Sequence, residues 1–224
     1  MLIRWYGQSA FLIRAERSVF IDPFGSAVAG LAERGLRFDY PPITGATADL
    51  LLITHEHRDH NGAEVVGGWP PVLRATAGTH DSPLGEIVAV ASVHDDVAGT
   101  QRGPNSIFRF TLDGLRLCHL GDFGQAALRP EQQTAIGEIE VLFLPVGDGP
   151  TVGGERAAAV VRALRPLLVV PMHYRTAAVN FLEPPDAFLD ALGAPVERLG
   201  ESEFAVEGLL GTPGEPVVAL PAPP

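Results

Sequence analysis

The 224-residue sequence contains no lysine, a single cysteine and no long uninterrupted apolar segment. The lone Cys118 excludes an intramolecular disulfide and any zinc site built from several thiolates, and we expect it to pack as a small buried hydrophobe. No segment reaches the roughly 18 apolar residues that a membrane-spanning helix requires. The first residues also lack the charged-then-apolar pattern of a signal peptide. We therefore predict a cytoplasmic protein that does not enter a membrane.

The charge of the chain is strongly acidic, since 27 acidic residues face 16 arginines and give a net charge of −11. Proteins that bind duplex nucleic acid present a cationic surface, so the acid excess argues against a nucleic-acid partner. Hydrophobic residues make up 46% of the chain, which is enough to form a sizeable core. The length predicts one domain over residues 1–224, and self-association into a homo-oligomer is compatible with such a sequence.

Strand patterns dominate the chain, and helix patterns appear mainly in its second half. This order predicts sheets packed face to face with helices outside. The continuous apolar run 49–54 is typical of a strand buried on both faces. Residues 23–48 show weak periodicity and are predicted to form a long loop over a site, and 221–224 a loose tail. The predicted strands are 2–5, 10–15, 18–22, 49–54, 71–75, 86–92, 106–112, 115–120, 141–146, 167–171, 204–207 and 216–220, and the predicted helices are 130–136, 156–164 and 185–192.

Three histidines and an aspartate follow the apolar run 49–54 directly: His55, His57, Asp59 and His60. On an extended segment the side chains of residues i and i+2 point to the same side, so the imidazoles of His55 and His57 can bind one cation together. Neutral imidazoles with a carboxylate match the ligands of zinc or a similar divalent ion. Four candidate ligands in six residues suggest two metal ions, because one tetrahedral ion would leave no room for ligands from elsewhere.

Three further ligand-type residues each follow an apolar strand: His94, Asp122 and His173. A rigid sheet that delivers ligands from several strand ends fixes a coordination geometry. For each residue taken alone, a capping or turn role is the alternative. His119 has the opposite strand parity to Asp122, so we expect it to pack or to support the site.

Residues 54–60, with the sequence T-H-E-H-R-D-H, resemble the H-x-H-x-D-H signature of the metallo-β-lactamase fold superfamily. The order that this superfamily shows is continued by Asp22 before this run and by His94, Asp122 and His173 after it. The resemblance therefore covers residues 1 to about 175. The segments HDDVAGTQRGPNSIF, LCHLGDFG and VVPMHY are most similar to the stand-alone metal-dependent hydrolases that include ascorbate-6-phosphate lactonase.

The resemblance implies an α/β fold, a four-layer αββα sandwich, and a site for two divalent ions. Zinc is the expected metal, and manganese, nickel or iron are compatible with the same ligands. Asp22 would orient the ligand histidines or, alternatively, begin the Asp-Pro turn. The implied ligands are His55, His57 and His94 for the first ion, Asp59, His60 and His173 for the second, and Asp122 as the bridge.

The resulting functional hypothesis is a hydrolase that uses hydroxide, formed at the dinuclear site, to attack a small ester, lactone or phosphoester. Asp59 could accept a proton from the nucleophile. A protein nucleophile is not required, which agrees with the absence of a G-x-S-x-G motif.

Contacts to the substrate are less well defined by the sequence. Arg58, Arg102 and Arg175 could bind a carboxylate or phosphate, with a solvated or salt-bridged role as the alternative. Asn105 and Tyr174 are candidate polar contacts with similar alternatives. Residues 146–154 depart from the superfamily pattern by the presence of Asp148 and the lack of an aromatic residue, and this loop could also contact the substrate.

Other functions share the same ligand set. A phosphodiesterase or nuclease is disfavoured by the net charge of −11. A β-lactamase is disfavoured because no lysine is present to hold the substrate carboxylate, although an arginine could take that role. An iron-containing oxygen or redox protein is permitted by the ligands, although no flavin- or thiol-binding module is evident. A non-catalytic metal-binding scaffold would not be expected to keep a complete ligand set.

Overall fold

The computed structural model describes residues 1–224. The chain forms sixteen β-strands, three α-helices and two short 3-10 helices. The strands are β1 (Leu2–Gly7), β2 (Ala10–Arg14), β3 (Ser18–Ile21), β4 (Ala46–Thr47), β5 (Leu50–Ile53), β6 (Val66–Gly67), β7 (Val72–Arg74), β8 (Gly78–Ser82), β9 (Gly85–Val93), β10 (Pro104–Leu112), β11 (Leu115–His119), β12 (Val141–Pro145), β13 (Leu168–Met172), β14 (Val196–Arg198), β15 (Glu203–Ala205) and β16 (Val217–Leu220). The helices are α1 (Pro130–Ile136), α2 (Gly154–Leu164) and α3 (Asp186–Leu192), and the 3-10 helices are Ser26–Arg34 and Ala63–Val65.

Two mixed sheets pack face to face, as the sequence predicts. One has the strand order β15-β1-β2-β3-β5-β7, and the other has the order β14-β16-β13-β12-β11-β10-β9-β8. The rings of Phe11 and Phe143 meet between the sheets with centroids 4.8 Å apart. Helices α1 and α2 pack against the outer face of the eight-stranded sheet, and α3 packs against α2. The predicted α/β sandwich is thus confirmed, with one outer layer reduced to loops and the 3-10 helix Ser26–Arg34.

Strand β5 shows why the six-stranded sheet has continuous apolar strands. All four of its residues are buried. Leu50 and Leu52 belong to the core between the sheets, whereas Leu51 and Ile53 face a second core that includes Tyr40. Because successive side chains of a strand point to opposite faces, an apolar run is required when both faces are covered. The prediction of a strand buried on both faces is therefore confirmed.

The strand directions bring many strand ends to one edge of each sheet. Strands β11, β12 and β13 are parallel to one another, and β9 runs in their direction because the antiparallel β10 lies between β9 and β11. In the other sheet β3 and β5 are parallel, and β1 runs the same way because the antiparallel β2 separates it from β3. The segments that follow all of these strands therefore gather at common sheet edges.

The structure differs from the sequence predictions mainly at the periphery. The predicted loop 23–48 contains the 3-10 helix Ser26–Arg34 and strand β4. Strands β8 and β14 were not predicted, because they are edge strands formed by backbone pairing and lack a buried apolar pattern. The last residues are not a loose tail throughout, since Pro221 is buried and the Ala222 amide donates to Glu201 O. None of the helices has the length and hydrophobicity that a membrane span requires.

Replacement of Phe11 by alanine tests the packing between the sheets. This ring is fully buried against Phe143, so we expect Phe11→Ala to lower the free energy of unfolding by about 3–5 kcal/mol. Trp69 is 97% exposed, and Trp69→Ala, the control, is expected to change stability by less than about 0.5 kcal/mol. Equal midpoints for the two variants in denaturant titrations would contradict the described core.

Candidate metal centre

Seven side chains predicted as metal ligands lie together at the common strand edges. A cavity of about 520 Å³ opens onto five of them: His57, Asp59, His94, Asp122 and His173. Three groups of three have ligand atoms within 4.8 Å of one another: His55, His57 and His94; Asp59, His60 and His173; and Asp22, His55 and His60. The first two groups contain six of the predicted ligands. The sequence proposal and the structural clusters therefore divide these six residues in the same way.

The carboxylate of Asp122 lies between the two groups. Its Oδ2 atom is 2.9 Å from His94 Nε2 and 3.2 Å from the Nε2 atoms of both His60 and His173. His55 Nε2 lies 3.8 Å from the same oxygen. Asp122 follows β11 through Gly121, whose φ of 56° turns the chain sharply. One oxygen is thereby placed in contact with imidazoles from both groups.

Asp22 orients two of these imidazoles from behind. Its Oδ2 atom accepts hydrogen bonds from His60 Nδ1 at 3.0 Å and from the Thr54 hydroxyl at 2.6 Å. The same hydroxyl lies 2.9 Å from His55 Nδ1. Because the hydroxyl hydrogen points to the carboxylate, the hydroxyl oxygen accepts from His55 Nδ1–H. Both rings therefore carry a proton on Nδ1 and direct Nε2 towards the cluster, which supports the orienting role predicted for Asp22.

His94 is oriented in the same manner by a backbone carbonyl. Its Nδ1 atom lies 2.9 Å from the carbonyl oxygen of Pro150, which can only accept a hydrogen bond. A neutral His94 thus has a bare Nε2 atom, and this atom faces Asp122 Oδ2. The loop after β12 acts here through its backbone, which no side-chain pattern in the sequence indicates.

Bare imidazole nitrogens and a carboxylate oxygen repel one another unless a positive charge lies between them. His60 Nε2 is buried and makes no hydrogen bond although Asp122 Oδ2 is 3.2 Å away. His55 Nε2 lies 3.1 Å from His57 Nδ1, and a hydrogen bond joins them only when one of these two nitrogens carries a proton. Such a set of nitrogen and oxygen donors, oriented from outside by further hydrogen bonds, is typical of divalent metal sites. The residues present therefore fit bound metal ions.

The pKa shifts of Asp122, His60 and His55 reflect how closely the ionisable groups of this centre are packed. Burial would raise the pKa of Asp122, but His173, His60 and His94 hold it well below its usual value. Burial would lower the pKa of His60, but Asp122 and Asp59 raise it well above its usual value. Burial and neighbouring imidazoles lower the pKa of His55. The carboxylate is thus ionised at neutral pH, as a ligand must be, and a metal would displace the proton of His60.

Comparison with known proteins identifies the family. Residues 2–173 match the model of the β-lactamase superfamily domain. A metal-dependent hydrolase of Thermococcus kodakarensis is 32% identical in an alignment of length 200 that covers 78% of this chain and 84% of the relative. The chain belongs to the β-lactamase superfamily, among its stand-alone metal-dependent hydrolases.

Two further relatives extend this likeness over nearly the whole chain. A metal-dependent hydrolase of a Geobacillus species is 29% identical and covers 82% of this chain and 90% of its own. A crystal structure from Thermotoga maritima, named as a Zn-dependent hydrolase of the metallo-β-lactamase superfamily, is 29% identical with a TM-score of 0.77. It covers 98% of this chain and 97% of that chain. The family predicted from residues 54–60 is therefore confirmed.

The turn between β1 and β2 contributes two residues that the sequence analysis missed. Gln8 is fully buried, has a φ of 52°, and donates from Nε2 to Asp59 Oδ2 at 2.9 Å. Its carbonyl oxygen accepts the His173 amide at 3.1 Å. Ser9 Oγ lies 3.5 Å from Asp122 Oδ1, a distance at which a hydrogen bond is weak. The direction of the β1–β2 hairpin brings this turn to the candidate metal centre.

Asn105 and His119 support the Asp122 turn from the interior. Asn105 Oδ1 accepts the Asp122 amide at 3.0 Å, and its Nδ2 donates to Leu120 O at 2.8 Å. The proposed substrate contact of Asn105 is therefore wrong, because both ends of its amide are engaged inside the protein. His119 Nδ1 accepts the Gly121 amide at 3.1 Å, which agrees with the supporting role expected for it.

Three other candidate substrate contacts lie elsewhere. Arg175 donates to Leu182 O and pairs with Glu183, and it does not line the cavity. Tyr174 is buried and packs on the Trp5 ring with centroids 5.4 Å apart. Asp148 pairs with Arg156 at 3.0 Å and is outside the cavity wall. The sequence placed these residues near the motifs, but their side chains are directed to other partners.

The orienting role of Asp22 is tested by Asp22→Asn. An amide cannot accept hydrogen bonds from Thr54 and His60 as the carboxylate does, so we expect metal affinity to fall about 10- to 100-fold. The measurement is competition for zinc with a chromophoric chelator, and Asp81→Asn, an exposed site, is the matched control. Unchanged zinc affinity in a folded Asp22→Asn protein would contradict the role.

The Gln8 contact is tested by Gln8→Met, which keeps side-chain length and removes the donor. We expect metal affinity to fall about tenfold or more because Asp59 loses its fixed orientation. Ser9→Ala serves as the comparison and should have a smaller effect, since its contact at 3.5 Å is weak. Equal losses in the two variants, measured by the same chelator competition, would show that the Gln8 bond has no special role.

Proposed function

We propose that this protein is a hydrolase with two divalent metal ions that cleaves a small ester, lactone or phosphoester. The observation that carries the proposal is the position of Asp122 Oδ2 between two histidine-containing groups, with imidazole Nε2 atoms of both groups facing it. The first ion would be held by His55, His57 and His94, the second by Asp59, His60 and His173, and Asp122 would bridge them.

The protein residues contribute geometry and proton transfer. Two ions about 3.5–4 Å apart would supply a water activated near neutral pH and a Lewis acid for the scissile oxygen. Asp59 remains partly exposed at the cavity while Gln8 fixes its Oδ2 atom. Its carboxylate can therefore accept a proton from the attacking water as well as contribute to the second site. His57 is half-buried and forms part of the same wall.

The cavity supports a small-molecule substrate. Its volume of about 520 Å³ lies in the range typical of small-ligand sites. The net charge of −11 disfavours a nucleic-acid substrate, which would have to approach an acidic surface. Zinc suits the nitrogen and oxygen donors best, and manganese, nickel or iron also bind such sets.

The proposal is tested by His57→Ala, with metal content measured by mass spectrometry and hydrolysis measured on 4-nitrophenyl esters, lactones and phosphodiesters. We expect the variant to lose at least one metal ion per chain and all detectable hydrolysis, because one group loses a ligand. His80→Ala is the control, since His80 lies on β8 away from the cluster and should leave both properties unchanged.

Two outcomes would contradict the proposal. Unchanged metal content and turnover in His57→Ala would refute the assignment of the site. Purified protein that contains iron with a visible absorption band and hydrolyses none of the panel would favour the oxygen or redox function instead.

A further inference from the structure

Three arginines from separate segments line the metal-centre cavity: Arg34, Arg58 and Arg102. Arg34 ends the 3-10 helix Ser26–Arg34, Arg58 lies within the histidine motif, and Arg102 lies in the loop between β9 and β10. We call these three residues the arginine triad. Their convergence on one cavity is a property of the fold, because they are far apart in the sequence.

The arginine triad lacks acidic partners in a chain that has an excess of acid. Nine of the 16 arginines lie within 4 Å of a carboxylate, and none of the triad does. The acids on the cavity wall are otherwise engaged. Glu56 pairs with Arg74, while Asp59 and Asp122 face the histidines. Three guanidinium charges are therefore left for a ligand.

The loop that carries Arg102 is held in place by Asp95. The Asp95 carboxylate accepts the backbone amides of Val97, Gly99, Gln101 and Arg102 at 2.6–3.0 Å. A carboxylate with four amide donors fixes the course of a short loop. The backbone of Arg102 is thus fixed beside His94, and its exposed side chain is left without an acidic partner.

Arg58 is accommodated by a glycine of the neighbouring segment. A methyl group built at Gly30 would overlap the Arg58 guanidinium group. The absence of a side chain at Gly30 therefore permits the observed position of Arg58 at the cavity. Leu31, Leu36 and Phe181 form the apolar part of the same wall, where a carbon skeleton can pack.

We propose, on the basis of the proposed function, that the arginine triad binds an oxyanion group of the substrate, a phosphate or a carboxylate, other than the bond that is hydrolysed. Planar guanidinium groups form paired hydrogen bonds with either oxyanion. Positive charge at the cavity also offsets the repulsion that an acidic protein exerts on an anionic ligand. The substrate class is then an anionic ester or lactone with a small carbon skeleton.

The experiment compares three 4-nitrophenyl esters with the same reacting bond, namely those of butyric, succinic and 4-phosphonobutyric acids. For the metal-loaded wild-type protein, we expect a higher kcat/KM for at least one anionic ester than for the neutral one, and this preference should decrease as salt is added. In Arg58→Gln and Arg102→Gln, kcat/KM for the preferred anionic ester should fall about tenfold or more, mainly through KM. The rate with the butyrate ester should fall much less, so the ratio of anionic to neutral kcat/KM should decrease.

Matched variants separate the charge of the triad from general effects. Arg198→Gln removes an arginine that also lacks an acidic partner but lies on β14 outside the cavity, and it should leave all three rates unchanged. Gly30→Val keeps every charge and displaces Arg58, so it should lower kcat/KM for the anionic esters, as Arg58→Gln does. The ester that loses more identifies phosphate or carboxylate as the natural group.

A binding measurement keeps this proposal separate from the proposed function. Calorimetry on metal-free protein with succinate, 4-phosphonobutyrate and neutral butyramide should show binding of an anion that Arg58→Gln weakens. If the protein binds the anion but hydrolyses none of the three esters, the anion site stands and the assignment of an anionic ester as the substrate is wrong. Equal kcat/KM for neutral and anionic esters, with no effect of the triad variants on rate or binding, would overturn the anion site and leave the hydrolase proposal intact.

Discussion

The structure depends on one electrostatic constraint, the approach of four imidazole nitrogens to a single carboxylate oxygen of Asp122. For three of the rings, a neighbouring acceptor binds a proton on Nδ1, so that Nε2 is directed at a negative oxygen. Such an arrangement is unfavourable unless cations lie between the donors. The fold therefore holds in place a set of groups whose natural complement is bound metal.

The two sheets supply the rigidity that this constraint demands. The ligand-type residues follow strands that are hydrogen-bonded to neighbours on both sides. Strand β5 lies between two apolar cores, and the strands of the eight-stranded sheet pack in the larger of them. Behind the imidazoles, Asp22, Thr54 and the Pro150 carbonyl limit rotation of the rings. Loss of such an outer contact typically lowers metal affinity about 10- to 100-fold.

The sequence predicted the parts of the site that have a local signature. Residues 55–60 crowd histidines beside a buried strand, and His94, Asp122 and His173 each end an apolar run, so the sheet brings them together as expected. Gln8 could not be predicted in this way, because its turn reaches the site only through the direction of the β1–β2 hairpin. The Pro150 carbonyl has no side-chain signature at all. The roles of all these residues, as metal ligands or as supports of the ligands, stay predictions until a metal is observed.

Substrate contacts were harder to predict because proximity in sequence does not fix where a long side chain points. Arg175 adjoins His173 but pairs with Glu183, whereas Arg34, more than 20 residues before the motif, lines the cavity. The most direct test of the whole account is anomalous diffraction from crystals of the zinc-loaded protein. The account predicts two peaks about 3.5–4 Å apart that flank Asp122 Oδ2. A single peak, or peaks away from Asp122, would contradict the dinuclear site.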